Sequence, residues 1–156
     1  MALDRSTLVF FDASCVIAAA GSATGASASV MRLCRRGWLR GSVSEAVLIE
    51  ADRNIAERFG YQTLQRYFRL LQQTPLLIIA LRGGWNHDLY AGFVGAKDAH
   101  VIAAAVLARA DYLLTFDAAL RQGANRANLA FKATTPTDFV RSELPQHVDY
   151  DQIRLG

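Results

Sequence analysis

Five short apolar runs, spaced by stretches long enough for helices, constrain this chain more than any other feature. Thr7 to Phe11, Leu39 to Val43, Leu76 to Leu81, Tyr112 to Thr115 and Leu129 to Lys132 each read as a strand. Thr7–Phe11 is apolar with no alternation, as expected of a strand buried on both faces in a parallel sheet. Strands separated by helices predict an α/β fold: a five-stranded parallel sheet in a three-layer α/β/α sandwich, wound by right-handed crossovers. At 156 residues and 52% hydrophobic, the chain has material for one core. Residues 1–144 are read as a single domain and 145–156 as a C-terminal tail. The longest apolar runs, 76–81 and 101–108, fall well short of the roughly 20 residues that cross a bilayer, so no membrane association is expected. Asp4 and Arg5 precede the first apolar stretch without the order of a signal peptide, and the cytoplasm is the expected compartment. Cys15 and Cys34 lack zinc-ligand or CxxC spacing and read as buried thiols.

Local signals place the helices. Ser14 is positioned to cap a short helix over 15–20, and a second helix over about 27–36 ends at Gly37. Ser44 caps a helix over 45–59 that Gly60 would close in the left-handed conformation. Tyr61, Leu64, Tyr67, Phe68 and Leu71 recur at helical spacing until Pro75 intervenes. Residues 82–96 are polar, glycine-rich and aperiodic, hence a loop. An alanine-rich helix covers 97–109, a short one 117–122 ends at Gly123, and Thr135, Pro136 and Asp138 have the N-cap, N1 and N3 character of a last helix start.

In such a sheet the working site lies beyond the carboxyl ends of the strands. Four acids gather there from four different βα units. Asp12 directly follows the first strand and Asp117 follows the fourth after Phe116. Asp98 opens the helix after the third strand, and Glu50 sits on the helix after the second. Taken singly, each has an ordinary explanation: the three aspartates as helix caps and Glu50 as a solvated helix residue. Together, with Glu50 flanked by Leu48, Ile49 and Ala51, they point to a hard divalent cation, which takes carboxylate and water oxygens.

The same residues carry a family resemblance. VFFDAS at 9–14, VSEAVLIE at 43–50, KDAHVIAAA at 97–105, ADYLLTFD at 110–117 and TPTDF at 135–139 occur in the order found in PIN-domain nucleases, and the chain resembles that family over nearly its whole length. The resemblance implies strand order 3-2-1-4-5 and a metal-dependent endoribonuclease that hydrolyses RNA phosphodiester bonds with Mg²⁺ or Mn²⁺. It assigns Asp12, Glu50, Asp98 and Asp117 as the catalytic acids. Asp12, Asp98 and Asp117 would hold the metal, Glu50 would orient or deprotonate the attacking water, and Ser14 and Thr115 would support them. It also implies frequent homodimers and, as in VapC-type toxins of toxin–antitoxin pairs, an antitoxin protein partner. Two departures stand out: Gly95 and Ala96 where many members have Asp-Pro, and Ala119 where some carry a further Asp. They keep a second reading open, a PIN-like module that binds RNA or protein without cleaving. Other Asp-dependent phosphotransfer folds fit worse, since a dehalogenase-type motif wants Asp at position 14 and a receiver wants an Asp ending the third strand.

Charge adds a weaker signal. The net charge is only +3, yet 17 basic residues would face just ten acids outside a four-carboxylate site, a surface that attracts polyanions. Lys97, Arg35, Arg36 and Arg82 are the RNA-binding candidates, within a basic run Arg32, Arg35, Arg36 and Arg40 and a loop holding Arg82, Trp85 and His87. Each has a plain alternative as a solvated side chain or, for Trp85, as loop packing. His100, two residues past Asp98, should point to a different side of a helix.

Overall fold

The computed structural model describes residues 2–156. In chain order it contains β1 (Leu8–Phe11), α1 (Ala13–Gly21), α2 (Ala26–Arg35), β2 (Arg40–Ser44), α3 (Glu45–Arg58), α4 (Tyr61–Gln73) and β3 (Leu76–Ile79). A 3₁₀ turn (Ala96–Asp98) then leads into α5 (Ala99–Ala108), followed by β4 (Tyr112–Leu114), α6 (Ala118–Arg126), β5 (Lys132–Thr134), α7 (Pro136–Asp138) and α8 (Tyr150–Leu155). The five strands form one parallel sheet in the order β3-β2-β1-β4-β5. Right-handed crossovers that step outward in opposite directions from β1 put their helices on opposite faces, which accounts for the two helical layers. No single helix among the described residues is long and apolar enough to cross a membrane.

Position in the sheet decides burial. β1 and β4 are central and wholly buried, as Thr7–Phe11 leads one to expect. β3 has an equally apolar sequence but lies at the edge, where Leu77 and Ile78 are 43% and 54% exposed. Register then sets the site. Phe11 pairs with Leu114, so the next residues, Asp12 and Thr115, emerge side by side at the carboxyl rim, and the Asp12 N–H donates to the Leu114 carbonyl.

Several local expectations are corrected. Asp12, not Ser14, caps α1: its Oδ1 accepts from the Ala13 N–H at 2.8 Å. Ser44 caps α3 as expected, but Gly60 has φ −79° and starts α4 instead of closing α3 with a left-handed residue. Only Tyr67 of the aromatic face on α4 is buried, its hydroxyl donating to the Leu48 carbonyl, while Tyr61 and Phe68 are exposed. Gly123 lies inside α6, which runs on to Arg126. β5 falls at 132–134, not 129–132, because Asn125 pairs with both the N–H and the carbonyl of Ala133 at 2.9 Å and fixes that segment as the edge. Both cysteines are free and buried, and burial pushes the Cys34 thiol up to about 12.

Residues 145–156, expected as a tail, are packed onto the domain. Leu3 and His147 form a parallel bridge, with Val148 N–H donating to the Leu3 carbonyl at 2.8 Å. The buried His147 ring holds the Trp38 carbonyl through Nε2 at 2.8 Å and accepts from the Asp149 N–H through Nδ1. Composition alone hides this, because the contacts that dock the segment, the Leu3 bridge and the His147 hydrogen bond to Trp38, join residues far apart in sequence.

Candidate active site

The carboxyl rim opens into a cleft of about 610 Å³. Asp12, Glu50, Asp98 and Asp117 all line it, together with Ser14 and Lys97. Four separate βα units thus deliver one carboxylate each to a single cavity, the consequence of strand register on one side and helix starts on the other.

Thr115 organises two of the acids. Its fully buried hydroxyl donates to Asp12 Oδ2 at 2.7 Å and accepts from the Asp117 N–H at 3.1 Å. Asp12, only 9% exposed, therefore has both oxygens fixed, one by Thr115 and one by the Ala13 N–H. Asp117 caps α6, its Oδ1 accepting from the Leu120 N–H at 3.1 Å. Ser14 ties the two strand ends together by accepting from the Phe116 N–H at 3.2 Å.

Capping explains Asp12 and Asp117, but it leaves the other two acids unexplained. Asp98 occupies the start of α5 without making a side-chain cap, and among the described residues its only charge partner is Lys97, 4.0 Å away and largely exposed. Such a solvated pair contributes little. Burial pushes the Asp98 carboxyl above its ordinary range; Lys97 opposes the rise, and the carboxylates of Asp117 and Asp12 add to it. Glu50, half-buried in the middle of α3, makes no side-chain hydrogen bond among the described residues. Two carboxylates that cap no helix, one of them paired only with exposed Lys97 among the described residues and with its charged form disfavoured, face two that are rigidly held.

The donor chemistry fits a hard cation. The cleft offers carboxylate and hydroxyl oxygens and no thiol, and a divalent ion would offset both the burial that raises Asp98 and the repulsion from Asp117 and Asp12 that adds to it. Among the described residues, no three carboxylate, imidazole or thiol groups stand close enough together to hold a metal ion as the side chains are placed. With Gly95 and Ala96 in place, Asp98 still lines the cleft, and its N–H donates to the Gly95 carbonyl at 3.0 Å to close the turn. Ala119 is exposed on α6 and does not line the cleft.

Three further polar residues line the cleft that the sequence reading did not place there. Arg53 and Asn54 follow Glu50 at i+3 and i+4, so their shared helix face was available as a signal. His100 also lines it, contrary to the expected rotation away from Asp98. The reason is that Asp98 belongs to the preceding 3₁₀ turn and not to the α5 spiral. Of the RNA-binding candidates only Lys97 is in the cleft. Arg35 lines a separate groove between α2 and α4, Arg36 lies near the C-terminal Gly156, and Arg82 borders a hollow against α5. Trp85 borders that same hollow, stacked on His87 with ring centroids 4.0 Å apart.

No family model matches the chain, and no curated protein sequence matches it. Solved structures do. VapBC2 from Rickettsia felis, solved bound to a DNA fragment from its promoter, matches with a TM-score of 0.58 at 13% identity over 83% of this chain and 98% of that one. A domain of a functionally unknown protein from Methanocaldococcus jannaschii matches at 0.53, 18% identical over 83% and 91%. PAE2754 from Pyrobaculum aerophilum matches at 0.54, 15% identical over 88% and 95%. At these identities the likeness establishes the fold, which is the PIN-domain fold.

Proposed function

We propose that this protein is a metal-dependent endoribonuclease whose acidic cleft hydrolyses RNA phosphodiester bonds, and that it acts as the toxin of a toxin–antitoxin pair. The observation that carries the catalytic part is the pairing, in one cleft, of fixed Asp12 and Asp117 with Asp98 and Glu50, whose carboxylates make no side-chain cap or hydrogen bond among the described residues. The toxin assignment rests on the likeness to the VapBC2 structure, and an antitoxin and a second copy of the chain are its proposed partners.

In this reading Asp12, Asp98 and Asp117 hold Mg²⁺ or Mn²⁺. A cation bound there would make water more acidic and would offset charge on the phosphate. Glu50 orients the attacking water and takes its proton. The water oxygen bonds to phosphorus in line with the departing 3′ oxygen, the P–O3′ bond breaks, and the 3′ oxygen gains a proton. The products carry 5′-phosphate and 3′-hydroxyl ends. Lys97 at the rim meets a phosphate oxygen, and Ser14 and Thr115 act as positioning residues.

Incubating an end-labelled pool of single-stranded RNA with the protein in Mn²⁺, Mg²⁺ or chelator tests the reading. Cleavage with metal, none with chelator, and 5′-phosphate products are expected. Intact RNA in every condition, with the RNA nevertheless retained by the protein, would replace the nuclease with a non-cleaving module. Thr115→Val should lower cleavage about 10–100-fold, the usual cost of losing a group that orients a ligand. It should also destabilise the fold by about 1–3 kcal/mol, since it leaves a buried Asp12 oxygen and the Asp117 N–H unpaired. Thr115→Ser keeps the hydroxyl and should restore most of the rate. Equal rates for the two variants would remove the positioning role.

A further inference from the structure

Acidic residues are absent from two long stretches of this chain, 13–44 and 58–87, yet those stretches hold eight of its 15 arginines. The fold brings the two stretches together. α2 contributes Arg32 and Arg35, and α4 contributes Arg66 and Arg69, to the walls of one groove of about 170 Å³. On each helix the pair is spaced i,i+3 and so lies on one face, with Cβ atoms roughly 5–6 Å apart. No carboxylate lines the groove, and none of the four arginines is in a salt bridge among the described residues.

Two of the guanidiniums are held in place. Arg66 Nε donates to the Ala20 carbonyl at 2.9 Å, and Arg32 Nη1 donates to the Ala23 carbonyl at 3.0 Å, at and just beyond the end of α1. Arg66 also donates to Thr63 Oγ1 and Arg32 to Ser29 Oγ. With five N–H donors on each guanidinium, both keep donors to spare. Arg35 meets only the neutral Gln73 amide, and Arg69 makes no side-chain hydrogen bond among the described residues. Four like charges around one small groove repel one another, and a ligand with repeated negative charges removes that cost. Guanidinium forks match phosphate oxygens in particular.

The groove and the acidic cleft are separate hollows that share no lining residue, but α1 runs past both. Ala13, Ser14 and Ile17, at the start of α1, wall the cleft, and Ala19 with Ala23 lines the groove at its end. At 1.5 Å per helical residue the two are about 10 Å apart along α1. A single polynucleotide strand whose scissile phosphate lies in the cleft reaches the groove within a few nucleotides. We infer that the α2–α4 groove is a second phosphate-binding subsite that grips the RNA backbone beside the cleavage site. This inference rests on the RNA-cleaving reading for its choice of polyanion, and it makes the enzyme favour long strands over short ones.

Binding decides it without cleavage. In chelator, anisotropy of a labelled mixed-sequence 20-nucleotide RNA is followed with wild type, Arg35→Ala/Arg69→Ala, and the charge-matched control Arg141→Ala/Arg154→Ala. The groove pair should weaken binding at least about tenfold and flatten the salt dependence by about 1.4, near 0.7 for each lost contact on a single strand. It should also abolish the affinity gain of the 20-mer over a tetranucleotide. Unchanged 20-mer affinity and salt slope, or a loss no larger than the control's, overturns the proposal. So does a groove variant that loses polyglutamate binding while keeping RNA, which would assign the groove to an acidic polypeptide. Arg35→Lys/Arg69→Lys keeps the charge and should restore most of the affinity. A chain that binds RNA through the groove yet cleaves nothing with any metal leaves the subsite standing and refutes only the nuclease.

Discussion

Asp98→Asn should abolish RNA cleavage and, at the same time, stabilise the metal-free protein. The first effect follows from removing one of the carboxylates proposed to hold the cation. The ion is asked to supply several kcal/mol of charge stabilisation in the transition state, and about 4 kcal/mol corresponds to roughly 10³ in rate. The second effect follows from electrostatics. Burial and the nearby Asp117 and Asp12 carboxylates disfavour the charged form of Asp98, with Lys97 only partly compensating. A carboxyl whose folded pKa lies above its unfolded value of about 3.9 makes the native state bind more protons than the unfolded one over that interval. Stability is therefore lost as pH rises through the interval, and the whole penalty is present at pH 7. The neutral amide escapes it. We expect the metal-free melting temperature to rise by about 1–2 °C at pH 7, a small effect because the group is partly solvated, and the gain to vanish below about pH 3.5. Thermal melts across pH, paired with the cleavage assay, check both halves. A variant less stable than wild type at pH 7 would show that Asp98 has a structural partner after all.

Gly123→Ala should cost the fold far more than a single methyl in a helix suggests. Alanine is the better helix former by about 1 kcal/mol, so on propensity the change would stabilise α6. Space dictates otherwise. A Cβ at position 123 would sit 2.1 Å from the Phe93 carbonyl oxygen and 2.6 Å from Val94 Cγ1. The obstacle is largely backbone, which cannot rotate aside. This close approach is where α6, whose first turn is capped by Asp117, packs on the segment that leads through Gly95 into Asp98, and Arg126 ties the same Phe93 carbonyl at 3.1 Å. The methyl would push apart the two elements that deliver Asp98 and Asp117. A net loss of about 2 kcal/mol is expected, lowering the melting temperature by roughly 4–8 °C, with a matching fall in cleavage. Unchanged melting and unchanged cleavage would mean that the loop gives way freely and does not set the distance across the cleft.

Much of the site was legible because it depends on rules with short reach. The Thr7–Phe11 run reads as a strand whatever its place in the sheet, and Asp12 immediately after it therefore lies at the carboxyl rim. Asp117 followed from the same logic on β4. What escaped depends on contacts distant in sequence. Gly123 looks like a helix terminator when read locally, and only the Phe93 carbonyl against it reveals why glycine is needed inside α6. The strand β5 was misplaced toward the more apolar 129–132, because an edge strand pinned by the Asn125 side chain has no need of apolar residues. His147 and the residues around it read as a tail because neither the Leu3 bridge nor the Trp38 carbonyl has a local signature. The arginine groove was half visible. The basic run on α2 could be read from the sequence, but Arg66 and Arg69 join it only through the packing of α4 beside α2.

If the four-carboxylate cleft is a cation site, it should take up manganese. Crystals of the wild-type protein soaked in Mn²⁺ and measured at a wavelength where manganese scatters anomalously test it most directly. An anomalous peak is expected within bonding distance of Asp12, Asp98 and Asp117 carboxylate oxygens, and no such peak in Asp98→Asn crystals treated identically. A cleft without manganese in the wild type, at concentrations that saturate exposed carboxylates elsewhere on the surface, would contradict it.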